Sequence, residues 1–297
     1  MIPGQEVHVA GPVWVVPGEG GGHFPRCHCV YIDDGGGVLI DTGAGDRVLA
    51  DLTRRRPVEV VLNTHTHIDH VFGNYLFGDR DILVPEMMAH SAGDLVKLSR
   101  RFVPPEMSSL WRRVILDCTT WRDQPPTGTF GPSQVFKFGT TRVETVFAPG
   151  HLADHCMFLL PDHQILISAD LDLTPFGPWY GNPESDLDLI RRSIDQAVAL
   201  RPKIVVSSHR EPVTQDIAAE FARFAAVIDR REAALLDYLE QERTWDQVLD
   251  QRLVYGPAIP FTPQIVRFFE DRMLSQHLVE LRRRGLVRAT ERGFIRV

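Results

Sequence analysis

An apolar segment early in the chain ends in a cluster of polar residues. The segment VEVVL, residues 58–62, is followed directly by NTHTHIDH, residues 63–70. A short β-rich run of this kind is typical of a buried strand. Histidine and aspartate are costly to bury unless each has a polar partner. The chain must therefore fold so that this strand ends at a polar site.

Three more predicted strands end beside a histidine or an aspartate. The pairs are residues 143–147 with His151, residues 165–168 with Asp170, and residues 204–207 with His209. Ligand sites in layered α/β proteins favour the edge where the strands end. We therefore expect the four strand ends to meet, in an α/β fold whose sheets are faced by helices.

Two regions depart from the strand pattern. Residues 85–126 have a mainly helical pattern and interrupt a predicted catalytic domain at residues 1–228. Residues 229–297 are predicted as a small C-terminal domain. Its predicted elements are helices at residues 233–241, 245–251 and 263–284, followed by a basic β-hairpin. Helices followed by such a hairpin indicate a winged-helix-like appendage.

Composition restricts the class of protein. Apolar residues make up 43% of the chain and charged residues 24%, which is usual for a globular protein. The formal net charge of −7 argues against polyanion binding by the chain as a whole, although a local basic patch is compatible with it. We find no signal-peptide pattern and no apolar run long enough to span a membrane. The four cysteines suit reduced thiols, so we expect a cytoplasmic protein.

The histidine cluster has the spacing of a metal site. In an extended chain, positions two apart share a face, so His65 and His67 can bind one metal ion. A helix or turn beginning near Ile68 would direct Asp69 and His70 toward a second metal ion. Imidazole and carboxylate are natural zinc ligands and also suit iron or manganese. The alternative is a set of unrelated surface histidines, since the chain contains 12.

The other strand ends complete this prediction. His151 would join the first metal site, His209 would join the second, and the two oxygens of Asp170 could bridge both. Two divalent metal ions roughly 3.5–4 Å apart can hold a hydroxide and lower its pKa toward neutrality. Such a hydroxide attacks a carbonyl or a phosphorus centre. We expect Asp69 both to bind metal and to orient or accept the proton.

These motifs resemble the metallo-β-lactamase superfamily. The matching motifs are His65-x-His67-x-Asp69-His70, Pro149-Gly150-His151, Ser168-Ala169-Asp170 and Ser208-His209, together with the Asp41-Thr42-Gly43 turn. The resemblance implies an αββα sandwich and the same two metal sites, with His65, His67 and His151 on one and Asp69, His70 and His209 on the other. It also implies that Asp41 orients a ligand imidazole. A plain turn residue is the alternative for Asp41.

The superfamily does not define the substrate. We expect a small-molecule ester, thioester or lactone. One alternative is an RNA or DNA phosphodiesterase that holds nucleic acid through basic residues of the C-terminal appendage. Another is a mononuclear iron dioxygenase acting on persulfides. The appendage could instead pack on the catalytic domain or form a homo-oligomer contact.

Two segments are candidates for substrate contact. His151-Leu-Ala-Asp154-His155 is similar to a motif of the lactamase-beta-like proteins that carry a C-terminal winged-helix-like domain. Asp154 and His155 could touch substrate, brace His151, or cap a turn. Trp179 and Tyr180 follow Asp170 closely, so they could line a substrate pocket or pack a loop onto the core.

Overall fold

Two β-sheets stack face to face in the computed structural model, which describes residues 1–257 and 262–297. The first sheet has seven strands in chain order: β1 (Val7–Ala10), β2 (Val13–Val16), β3 (Cys29–Ile32), β4 (Val38–Ile40), β5 (Val60–Leu62), β6 (Asp81–Pro85) and β7 (Gly128–Phe130). The second has five, in the spatial order β12-β11-β10-β9-β8: β8 (Val135–Phe138), β9 (Thr141–Phe147), β10 (Cys156–Leu160), β11 (Ile165–Ala169) and β12 (Ile204–Ser207). Strands β4 to β7 run parallel, as do β11 and β12.

Alternating apolar side chains join the two sheets. Val13 and Val15 of β2 belong to the same buried cluster as Phe158 and Leu160 of β10. Successive side chains of a strand point to opposite faces, so this spacing directs one face of each sheet inward. The core between the sheets therefore holds the ends of β5, β9, β11 and β12 in fixed positions.

Eight α-helices lie outside the two sheets in the described parts of the chain. They are α1 (Asp46–Arg55), α2 (Ile68–Val71), α3 (Leu95–Phe102), α4 (Ser108–Cys118), α5 (Leu187–Ala199), α6 (Ile217–Tyr238), α7 (Trp245–Gln251) and α8 (Pro263–Arg283). Short 3-10 segments lie at Glu19–Gly22, Asn74–Phe77, Glu86–Met88, Pro105–Met107 and Pro161–His163. Helix α1 packs on the first sheet, and α5 and α6 pack on the second. The layers are those of the αββα sandwich expected from the sequence.

The segment between β6 and β7 is helical, as its sequence predicts. Asp94 caps α3 by accepting a hydrogen bond from the backbone N–H of Lys97 at 2.9 Å. The apolar faces of α3 and α4 pack with Phe72 beside α2 and with Phe269 of α8. The insertion therefore lies over the end of β5, next to the histidine cluster.

The C-terminal region is continuous with the sandwich. The helix predicted at residues 233–241 is instead the end of α6, which begins at Ile217. The predicted domain boundary after residue 228 falls inside this helix. Phe221 packs on the second sheet, whereas Leu235 packs with α7 and α8.

The last predicted strands form an antiparallel hairpin, β13 (Val287–Ala289) with β14 (Phe294–Arg296). Helix α8 precedes it and packs on both α6 and α7. Within the described parts of the chain, a helix with the length and apolar character of a membrane span does not occur. A winged-helix architecture remains a prediction for this region.

Candidate metal centre

The loop after β5 changes from extended to helical conformation inside the histidine cluster. His67 is extended, with φ −64° and ψ 150°, and α2 begins at the next residue. His65 and His67 consequently share one side of the loop, and Nε2 of His65 lies 3.1 Å from Nδ1 of His67. The first helical turn carries Asp69 and His70 away from that side. This is the geometry expected from the spacing of the motif.

Four side chains from three strand ends form the first group of donor atoms. His65, His67, His151 and Asp170 each offer one atom, and these atoms lie within 4.8 Å of one another. Nε2 of His151 lies 2.7 Å from Nδ1 of His67 and 3.2 Å from Oδ2 of Asp170. Three imidazoles and a carboxylate can coordinate a divalent transition metal.

A second group of donor atoms lies next to the first. Asp69, His70 and His209 place their donor atoms within 4.8 Å of one another. Nε2 of His209 lies 3.5 Å from Oδ2 of Asp69. Asp170 faces this group as well, because its Oδ1 is 3.0 Å from Nε2 of His70. The two oxygens of one carboxylate therefore point at the two groups.

The chemistry of the donor atoms fits divalent cations. Nε2 of His70 and Oδ1 of Asp170 are both buried, and neither has a hydrogen-bond partner among the described residues. An unpaired buried polar atom costs about 1–3 kcal/mol. A cation bound to both atoms removes that cost, so these residues fit a metal ion.

Hydrogen bonds behind the cluster fix the orientation of three ligand rings. Nδ1–H of His70 donates to Asp41 at 2.8 Å, that of His151 to the carbonyl of Trp179 at 2.9 Å, and that of His209 to the carbonyl of Gly22 at 2.6 Å. In each ring, Nε2 then carries no proton, faces the cluster and is available to bind a metal ion.

Asp41 has the position that the resemblance implies. It lies just after β4 with a φ of 62°, a left-handed conformation that aspartate tolerates. Its carboxylate also accepts from the backbone N–H and the hydroxyl of Thr64, both at 2.8 Å. Gly43 is required nearby, because a Cβ there would lie 1.4 Å from the carbonyl oxygen of Asp69. The turn thus brings Asp41 against the histidine loop.

His67 differs from the other histidines because it faces the cluster through Nδ1. Its Nε2 lies 2.5 Å from the side-chain amide nitrogen of Asn182. The oxygen and nitrogen of an amide exchange places when the group is turned over, so Asn182 can accept from Nε2–H when Nδ1 binds metal. Our sequence analysis missed Asn182, which is far from the histidine motif in the chain and belongs to no recognisable pattern.

The charges differ between the two groups. Burial lowers the pKa of His65 and of His67 well below the usual value, so both rings are neutral ligands. Burial also lowers the pKa of His209, but Asp170 and Asp69 outweigh that effect and raise it to about 9. The second group therefore attracts positive charge. A divalent cation can take the place of the protons held there.

Asp154 and His155 occupy supporting positions. Both are fully buried. Asp154 accepts from the hydroxyl of Thr66 at 2.6 Å, and His155 accepts from the backbone N–H of Asp170 at 3.1 Å. His155 thus braces a predicted metal ligand, but it is Asp170 and not His151. The structure does not give these two residues the substrate contact expected from the sequence.

Arg101 ties the helical insertion to this support. Its guanidinium donates to Asp154 at 2.6 Å and to Glu184 at 2.9 Å. Only 7% of the Arg101 side chain is exposed, so its charge depends on these two carboxylates. Neither Arg101 nor Glu184 carries a sequence pattern that would have indicated this role.

A cavity of about 990 Å³ opens from the metal-ligand cluster. Asp69, Asp170 and His209 lie at its polar end. The rest of the lining is mainly apolar and includes Phe102, Trp111, Val114, Ile115, Pro175, Phe176, Trp179, Phe224, Val227, Tyr255, Ile265 and Phe269. Trp179 therefore has the pocket position expected of it. Tyr180 is fully buried outside the described lining, with its hydroxyl 2.7 Å from Nε2 of His277, which corrects the substrate contact predicted for it.

Fold and ligand arrangement together define a family. The family model described as the metallo-beta-lactamase superfamily matches residues 24–209, which is more than half of the chain. The chain belongs to the metallo-β-lactamase superfamily, whose members are mostly hydrolases.

Known proteins similar to this chain carry related names. A metallo-beta-lactamase family protein from Thermus thermophilus superposes with a TM-score of 0.69 at 20% identity, covering 96% of this chain and 99% of that one. The atrochrysone carboxyl ACP thioesterase of a Cryptosporiopsis species is 28% identical over 45% of this chain and 34% of its own length. The lactamase-like protein nscB of Trichophyton rubrum is 25% identical over 74% of this chain and 59% of its own length. The chain thus spans about one third of the first curated relative and less than two thirds of the second.

Proposed function

We propose that this protein uses two divalent metal ions, by donor type zinc, to hydrolyse an ester, thioester or lactone. The observation that carries this proposal is the position of Asp170. Its two oxygens face two groups of ligands at the polar end of a mainly apolar cavity. The thioesterase name of one relative supports a carbonyl substrate. The four free cysteines agree with a cytoplasmic setting.

Bound divalent cations would supply Lewis acidity and would lower the pKa of a water molecule toward neutrality. The residues of the chain do the rest. Asp170 joins the two groups of ligands. His65, His67 and His151 would hold the first metal ion together with one oxygen of Asp170. Asp69 faces the second group through Oδ2, which lies 3.5 Å from Nε2 of His209. We assign to its carboxylate both metal binding and the orientation or acceptance of the proton.

The cavity contributes when a substrate fills it and displaces water from its apolar lining. Apolar side chains beside the polar end lower the local dielectric constant, which strengthens every charge interaction there. A carbonyl group at this end would meet Asp69, Asp170 and His209. The apolar part would hold the remainder of the substrate.

A phosphodiesterase is the second candidate. Arg288 and Arg292 of the hairpin are exposed, and no ion pair is recorded for either within the described chain. Such arginines can bind phosphate groups. The hairpin contributes no residue to the cavity lining among the described residues, so we rank this function below carbonyl hydrolysis.

Metal analysis and a substrate panel test the proposal. Protein produced in metal-replete medium should contain close to two divalent metal ions per chain. It should hydrolyse members of a set of thioesters, esters and lactones faster than bis-p-nitrophenyl phosphate. One bound iron with turnover of a persulfide would favour the dioxygenase alternative. Faster turnover of the phosphodiester would favour the phosphodiesterase.

A further inference from the structure

The cavity has two apolar walls from distant parts of the chain. The insertion helix α4 provides Trp111, Val114 and Ile115, which share one helix face. The C-terminal region provides Tyr255 and Ile265. The same residues of α4 and α8 belong to one buried cluster, so the two walls pack against each other at the base of the cavity.

A third wall comes from α6 and the loop after Asp170. Phe224 and Val227 lie on the cavity side of α6, and Glu220, Arg223 and Arg230 give this wall a charged part. Arg231, one turn further along the helix, is 5% exposed and donates to the carbonyls of Pro178 and Phe176, at 2.5 and 2.6 Å. These bonds hold the loop that carries Trp179 against α6.

The C-terminal wall is also linked to a metal ligand. The indole N–H of Trp179 donates to the hydroxyl of Tyr255 at 2.6 Å. The carbonyl of Trp179 accepts from Nδ1–H of His151 at 2.9 Å. Trp179 therefore connects the C-terminal region on one side to the metal centre on the other.

A buried carboxylate fixes Tyr255 in turn. Glu270 of α8 is fully buried and accepts from the backbone N–H groups of Val254 and Tyr255, at 2.9 and 3.2 Å. Such bonds hold the backbone at Tyr255 relative to α8. These contacts fix the wall at Tyr255 in position as a permanent part of the cavity.

We propose that this cavity is an acyl compartment and that the substrate is an ester or thioester with a bulky apolar acyl group. The proposal rests on the hydrolytic function proposed above and specifies its substrate class. The volume of about 990 Å³ lies near the upper end of the usual range for ligand pockets, roughly 300–1,000 Å³. An acetyl group would leave most of the apolar lining in contact with water. A long or ring-containing acyl group would cover it.

The same inference assigns a role to the C-terminal region. Because Tyr255 and Ile265 form one wall, this region determines which acyl groups fit. Tyr255 is a positioning residue, since it acts on the metal centre through Trp179. Hydrolysis should depend on the length of the acyl group, because each methylene that enters the compartment removes apolar surface from water. Burial of one methylene corresponds to an increase in kcat/KM of about four-fold.

A chain-length series tests the compartment. The substrates are N-acetylcysteamine thioesters from acetyl to decanoyl, with the metal-loaded protein. We expect kcat/KM to rise by about four-fold per methylene until the cavity is filled. Val114→Trp should lower the ratio of kcat/KM for decanoyl to kcat/KM for acetyl by at least about ten-fold. Leu116→Trp is the matched control, because Leu116 lies on the same helix but is 54% exposed. A flat series in the unmodified protein would overturn the compartment.

A binding measurement separates the compartment from the reaction. S-decyl and S-ethyl thioethers of N-acetylcysteamine cannot be hydrolysed, and their binding is measured by calorimetry. The decyl compound should bind more tightly, with a negative heat-capacity change that Val114→Trp diminishes. If the decyl compound binds more tightly but no thioester is hydrolysed, the cavity binds apolar groups and the proposed hydrolytic function is wrong. Equal binding of the two compounds would reject the compartment, whatever the turnover.

The role of Tyr255 has its own test. Tyr255→Phe leaves the indole N–H of Trp179 without its partner. We expect KM for decanoyl to rise several-fold, a smaller change in kcat, and looser binding of metal. Tyr238→Phe is the control, because the Tyr238 hydroxyl is on an exposed part of the same region and donates to the carbonyl of Gln247. If both substitutions only lower the melting temperature, by the same amount, and leave KM and metal affinity unchanged, Tyr255 has no positioning role.

Discussion

Oδ2 of Asp41 lies 2.8 Å from Nδ1 of His70, which leaves Nε2 of that ring facing Asp170. Asp41→Ala should therefore weaken metal binding by about 10–100-fold, because the ring loses the bond that sets its orientation. Metal affinity is measured by competition with a chelator. Asp34→Ala is the control: Asp34 accepts hydrogen bonds from Thr140 and Thr141, so its loss should lower the melting temperature without changing metal affinity.

Removal of the shared carboxylate should abolish most activity. In Asp170→Ala both ligand groups lose an oxygen, and in Asp69→Asn the second group loses its charge. We expect turnover to fall by about 100-fold or more in each, since loss of a ligand exceeds loss of a supporting bond. Circular dichroism should show folded protein, and metal analysis should show a lower content in Asp170→Ala. Near-normal turnover with full metal content would contradict the roles assigned to these residues.

Arg101→Met should destabilise the fold. The substitution leaves the fully buried carboxylate of Asp154 without its cation, which costs about 3–5 kcal/mol of unfolding free energy. Denaturant titration measures the change. Arg100→Met, at the exposed neighbouring position, should change stability by less than about 0.5 kcal/mol. Similar values for the two variants would show that the buried ion pair does not support the insertion.

Acid should destabilise the protein partly through His277. Burial, with the nearby Arg231 and Arg191, lowers its pKa from 6.5 to about 4. As the pH falls below 6.5, the unfolded chain binds a proton that the folded state refuses, so stability declines between pH 6.5 and 4 by up to about 3 kcal/mol. In His277→Gln the loss of stability over this range should be smaller than in the unmodified protein. His90→Gln, at an exposed site, is the matched control.

Nucleic acid should bind weakly if at all. Arg283 pairs with Glu280 at 2.7 Å, Arg284 pairs with Glu232 at 2.6 Å, and the exposed positions of α8 are limited to its two ends and Val279. A helix so enclosed has little surface for a nucleic-acid groove. Salt titrations with single- and double-stranded RNA and DNA test this expectation. Tight binding that falls steeply with salt would restore the phosphodiesterase candidate.

Local sequence predicted the arrangement of donor atoms well. The alternation of His65 and His67, followed by a helical turn at Asp69 and His70, is set within six residues and needs no tertiary information. Asp154 and His155 show the limit of such reasoning. Their neighbour His151 lies at the cluster, but the chain turns before β10 and directs both side chains into the support behind it.

Long-range contacts explain the other differences. The helix predicted from the sequence begins at residue 233, directly after the charged residues 229–232. In the fold Arg231 is buried inside α6 and its charge is met by the carbonyls of Phe176 and Pro178. No local pattern announces such a partner. Asn182 and Arg101 escaped sequence reasoning for the same reason.

The continuity of α6 and α8 affects how the molecule unfolds. Helix α6 packs on the second sheet at one end and in the C-terminal cluster at the other. Helix α8 packs against the insertion helices at its start, reaches the second-sheet cluster through Met273, and ends in the C-terminal cluster. Neither part can melt without removing buried contacts from its neighbour, so the two should form one cooperative unit. Backbone amides in the middle of α8 should then exchange with solvent mainly through global unfolding. A truncation before α8 would expose the apolar faces of α3, α4 and α6 instead of releasing an independent module.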